Sequence, residues 1–147
     1  MSTSPHGGVG RIKIAAISLV ACSASSVPPE ESVFPSAPYA AILSESKLLG
    51  IEVRTVPEQP PRRGTISAEF TITNAADGTP RDGLIVEVVP WMAAHAHGAS
   101  VKPTVTSKGQ GRYLVSNINL FMPGHWEIRS TFSGDIADRA APFFDIE

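Results

Sequence analysis

The chain has 147 residues and a formal charge of −2, with 42% hydrophobic and 18% charged residues. That size suits one domain plus a tail, and with no basic stripe along the chain, nucleic acid is not an expected partner. Thirteen prolines and twelve glycines cut the chain into short pieces, which argues against long helices and for strands joined by turns.

The N-terminus reads MSTSPHGGVGRIKIAAISLVACSASS. Arg11 and Lys13 precede an apolar run over residues 14–21, which is too short to span a bilayer as a helix. The run ends in Leu19-Val20-Ala21-Cys22, which resembles a bacterial lipobox, a small residue followed by a thiol to acylate. Residues 1–21 are therefore expected to be a lipoprotein signal, with Cys22 the lipidation site and the chain exported to the cell envelope, on a periplasmic or extracellular face. Several acyl chains would anchor it to the membrane, each buried methylene adding about 0.8 kcal/mol. Cys22 is the only cysteine, so an internal disulfide is excluded. Cleavage before Cys22 leaves ten basic against fourteen acidic residues, a formal charge of −4. Residues 22–50 contain Pro28, Pro29, Pro35 and Pro38 among serines and alanines, the composition of an extended spacer. Within it, AAILSESKLLG reads either as a short helical turn or as loop.

From residue 51 to residue 147 the pattern is all-β. IEVRTV is a first strand, closed by PEQPPRRG. TISAEFTIT alternates, with Ile66, Ala68, Phe70 and Ile72 on one face. LIVEVVPW is apolar on both faces and is expected to be central. KPTVTS, RYLVSNINL, HWEIRSTF and APFFDI complete seven strands, separated by KGQG, MPG and SGDIADR. Seven short strands in about a hundred residues predict an immunoglobulin-like antiparallel β-sandwich, folding as a monomer. Phe70, Trp126, Ile128 and Phe144 are its expected core.

Strand order then makes a prediction about function. In such a sandwich the third-to-fourth and fifth-to-sixth connections share one pole, and the third and sixth strands are neighbours. MAAHAHGAS and FMPG are those two connections. Met92, His95, His97, Met122 and His125 should therefore gather there. Imidazole suits transition ions, thioether sulfur selects Cu(I), and neither loop carries a carboxylate, so copper fits this set better than zinc, calcium or magnesium. Gly98 and Pro123-Gly124 are the expected turning points. The competing reading is structural: the methionines fill gaps in the packing, and the histidines bond to backbone. No nucleophile elbow, phosphate loop, HExxH or paired carboxylates appear, so no enzyme is expected.

The stretch VVPWMAAHAHGASVKPTVTSKGQGRYLVSNINLFMPGHWEIR resembles the YtkA-like/FixH-like domain. The motifs are Trp91-Met92, His95-Ala96-His97-Gly98, Gly111-Arg112-Tyr113 and Met122-Pro123-Gly124-His125-Trp126. The resemblance covers residues 51–146 and implies an extracytoplasmic sandwich, often membrane-anchored. It is associated with copper handling or respiratory oxidase assembly, and so implies a copper-accepting partner such as an oxidase or its assembly factor. Two departures stand out: Ala93 replaces a proline common after the first methionine, and a lipobox replaces the transmembrane helix of FixH proper. A copper-binding lipoprotein is the resulting expectation; a metal-free structural or protein-interaction module is the alternative.

Overall fold

The computed structural model describes residues 32–147. The signal-like segment, Cys22 and the first part of the expected spacer lie outside the described residues. Among the described residues, ten strands form: β1 (Ala40–Leu43), β2 (Leu49–Val56), β3 (Gly64–Asn74), β4 (Ile85–Met92), β5 (His97–Gly98), β6 (Thr104–Gly109), β7 (Arg112–Leu120), β8 (Gly124–Ser133), β9 (Asp138–Ala140) and β10 (Phe143–Ile146). One antiparallel sheet has the order β1-β2-β3-β7-β6 and the other β10-β8-β4-β5, with β9 also pairing with β8. The seven expected strands are β2, β3, β4, β6, β7, β8 and β10. Their division into β2-β3-β7-β6 and β10-β8-β4 is the strand order of an immunoglobulin-type sandwich.

The alternation read from the sequence is the alternation observed. Ile66, Ala68, Phe70 and Ile72 of β3 face inward with Ile51 and Val53 of β2, against Val88, Trp126, Ile128, Phe132 and Phe144 of the opposite sheet. Each aromatic removes roughly 150–250 Å² from water, so these rings dominate the driving force. Phe70, Trp126, Ile128 and Phe144 are fully buried, as expected.

Two expectations need correction. AAILSESKLLG is neither helix nor loop. Ala40–Leu43 is a strand, paired with residues 50–53 of β2 through a hairpin. The Ser44 and Lys47 N–H groups close that hairpin on Leu49 and Ser44 carbonyls, both at 2.9 Å. Its turn also reaches the other sheet: the Glu45 N–H donates to the Arg139 carbonyl (2.8 Å) and the Ser46 N–H to Asp138 Oδ1 (3.1 Å). The folded unit thus begins inside the segment expected to be spacer. The second correction concerns β4. It lies between β8 and the two-residue β5, but only one of its faces is buried, and Ile85 and Val89 on the outer face are exposed rather than covered.

β9 and β10 act as one interrupted edge strand. β10 pairs with the first half of β8, β9 with its second half, and between them the Ile128 N–H donates to the Pro142 carbonyl at 2.7 Å.

Candidate metal centre

β4 ends at the pole where β8 begins. Its period of two sends Val86, Val88, Pro90 and Met92 inward, and Met92 is only 1% exposed. Ala93–His95 then form a single 3₁₀ turn, and the chain reverses at Ala96, a non-glycine residue with φ of 53°. The reversal expected at Gly98 therefore occurs two residues earlier. Gly98 itself pairs with Trp91, and His97 with Met92. Directly opposed residues of an antiparallel pair project to the same face. The β5 ladder thus puts the His97 imidazole on the same face of the sheet as the Met92 side chain.

The His97 ring is half-buried and held from several directions. It stacks on Phe121 (centroids 5.9 Å apart, planes at 15°) and meets Trp126 edge-on (6.5 Å, 66°). Phe121 and Trp126 are themselves in T-shaped contact at 5.4 Å. His97 Nδ1 lies 3.2 Å from the Gly98 carbonyl. A carbonyl only accepts, so the contact puts a proton on Nδ1, and in the neutral tautomer Nε2 is then the nitrogen with a lone pair to offer. His95 is exposed, with its ring centroid 5.7 Å from that of His97.

Met122 is half-buried against the core. Its carbonyl accepts the Trp126 indole N–H at 2.9 Å, which fixes the β7–β8 loop over the site. Gly124 has φ of 127°, and a Cβ there would stand 3.4 Å from the Met92 methyl. The glycine thus supplies the backbone conformation that turns the loop, beside the Met92 methyl.

His125 does not join this group. β8 sends Trp126 inward, so the residue before it faces out. The His125 ring lies 4.7 Å from that of Phe143, and its Nδ1 donates to Asp145 Oδ1 at 2.7 Å across the β8–β10 pair. The two connections do converge, but the side chain of His125 leaves on the opposite face of the sheet. His95 and His97 are neighbours, His97 stands opposite Met92 in the β4–β5 pair, and the backbone of Met122 is tied to the same pole through the Trp126 indole. The sequence reading omitted the two rings, Phe121 and Trp126, that enclose His97. It also omitted Asp145, which engages His125.

The donor set limits the chemistry. Among the described residues, no three His, Cys, Asp or Glu side chains gather into a metal-binding group. The donors that the two loops bring to this pole are the imidazoles of His95 and His97 and the thioethers of Met92 and Met122. Such a mixed, uncharged set matches a soft monovalent ion and is a poor match for hard divalent ones.

Fold and pole together define a class, an antiparallel β-sandwich in which two loops bearing histidine and methionine meet at one end, with His97 against the Phe121 and Trp126 rings. A family model described as YtkA-like matches residues 45–131, more than half of the chain, and the chain belongs to the YtkA-like family. No curated protein and no solved structure matches it.

Two of the motifs shared with that family have evident packing roles. Gly111 has φ of 72°, and a side chain there would run into the Ile72 carbonyl. Its N–H is held by Asp82 Oδ1 at 2.7 Å. The Tyr113 hydroxyl donates to the Arg81 carbonyl (2.7 Å) and accepts the Leu84 N–H (3.2 Å), pinning the loop that leads into β4. Burial raises the Tyr113 phenol above its ordinary pKa, so it stays protonated and keeps donating. The Gly-x-Tyr motif thus serves the scaffold, as Gly124 and Trp126 of Met-Pro-Gly-x-Trp do in part.

Proposed function

We propose that this protein is a cell-envelope copper-binding lipoprotein, anchored through Cys22, that holds Cu(I) with Met92, His97, His95 and Met122 and passes it to a copper-accepting partner such as an oxidase or its assembly factor. The observation that supports the reading is the β4–β5 pairing, which puts His97 opposite the buried Met92 on one face of the sheet, with Nδ1 turned to the Gly98 carbonyl. The exposed His95 is the natural first contact for an arriving ion, and the half-buried Met122 is the softer ligand nearer the core. Uncharged ligands bind by softness and geometry rather than by charge, so an acceptor with thiolate or additional thioether ligands displaces them one at a time. His125 stands outside this set.

The test is competitive titration of the chain with Cu(I) against a coloured chelator. A Cys22→Ser background removes the thiol that would otherwise compete. Stoichiometric binding is expected, lost in the His95→Ala/His97→Ala double variant and kept in His125→Ala. Absence of binding, or binding indifferent to the double substitution, would overturn the reading in favour of a metal-free structural or interaction module.

A further inference from the structure

The proposed ligand set contains a contradiction that the geometry must resolve. The Met92 side chain is 1% exposed, so no ion reaches its sulfur from solvent in the arrangement described. Some part of the enclosure has to move. Trp126 is fully buried, lies in the β8 ladder opposite Phe144, and is bonded to the Met122 carbonyl. His97 is held by its pairing with Met92 and by the Gly98 carbonyl. On the Gly124 side the Met92 methyl stands 3.4 Å from where a Cβ would be. Unlike Trp126 and His97, Phe121 lies outside the strands, since β7 ends at Leu120 and β8 begins at Gly124. Its ring is 42% exposed and is kept in place by stacking on His97 and edge contact with Trp126.

Resting on the copper reading, we infer that Phe121 is a gate whose ring closes the path to the Met92 sulfur, so that its displacement sets the rate at which Cu(I) is taken up and surrendered. Swinging the ring out forfeits its contacts with His97 and Trp126, whereas moving His97 or Trp126 breaks a strand pairing or a buried hydrogen bond. A gate speeds or slows passage in both directions equally and leaves the strength of binding unchanged. A residue that merely supports the ligands would change the strength of binding.

The experiment is stopped-flow transfer of Cu(I) from the loaded full-length chain, Cys22→Ser throughout, to excess bicinchoninate, with affinity measured separately by equilibrium competition. Phe121→Ala is expected to release copper roughly tenfold faster, the scale of one lost aromatic pair, with affinity within about threefold of the parent. Phe121→Leu fills the space without a stacking face and should be intermediate, while Phe121→Tyr should restore slow release. Equal release rates in all four chains overturn the gate and leave the copper reading standing. A change in affinity that accounts for the whole change in rate also overturns it, making Phe121 a support. A parent chain that binds no Cu(I) removes both.

Discussion

Replacing Met92 by leucine separates the two roles that a buried methionine can hold. The side chain is enclosed by the sandwich interior, with its methyl against Gly124. Shortening it to alanine would leave a cavity, and such truncations cost about 2–5 kcal/mol. Met92→Leu instead conserves volume and apolar character, for which the cost is below about 1.5 kcal/mol. In a domain of this size that corresponds to a fall in Tm of about 5 °C or less. If the thioether were packing alone, the leucine variant would bind Cu(I) as the parent does. If it is a ligand, the loss should reach at least the 10–100-fold that removing even an outer partner of a metal ligand costs. The assay pairs a thermal melt of the metal-free chain with Cu(I) competition on the same preparation. A leucine variant with a near-parental melt and parental Cu(I) affinity would remove Met92 from the ligand set. The proposal would then lose its deepest donor.

Two further outcomes follow from the scaffold. Tyr113→Phe keeps the ring and removes the hydroxyl that links the Arg81 carbonyl to the Leu84 N–H; chemical denaturation should show a loss of about 1–3 kcal/mol from the unsatisfied groups left behind, and a parental midpoint would mean that water replaces the hydroxyl. Asp138 is held below the ordinary aspartate pKa: burial opposes its charge, but the Ser44 hydroxyl and the Arg139 and Ser46 N–H groups outweigh that. A carboxyl lowered in the folded state contributes stability above its unfolded value of about 3.9 and loses it as pH falls through the lower folded value. Acid melts of the parent should therefore lose stability below about pH 4 more steeply than those of Asp138→Asn, and parallel curves would show that the β1–β2 turn does not depend on that charge.

Much of the fold was legible because alternation and burial are one phenomenon seen twice. The seven strands were found where apolar residues recur every second position between glycine and proline breaks. The additional strands were not, because their stability is not local. Ala40–Leu43 follows Pro35 and Pro38 and carries only four residues, and it is a strand because β2 lies beside it and because its turn is bonded to Asp138, ninety-two positions from Ser46. At the candidate centre, strand order correctly brought two distant connections to one pole. The same alternation already implied that His125 points outward once Trp126 is placed in the core. Phe121 carried no signal at all, since a lone aromatic at a strand end has no period to betray what it covers. The turn at Ala96 was misplaced onto Gly98 because glycine is the default residue for a left-handed backbone, and here alanine adopts it.

The interrupted edge formed by β9 and β10, together with β1, has a practical meaning for anyone who handles this domain. The span shared with the family, residues 45–131, stops inside β8 and begins after β1. A fragment cut to that signature would strip Phe144 and Ile146 from the interior and bare the backbone of β2 and β8 to whatever strand came near. Recognition of the lineage needs fewer residues than self-sufficiency does, and a fragment trimmed to the motif would be sticky where the whole unit pairs β2 with β1 and β8 with β9 and β10.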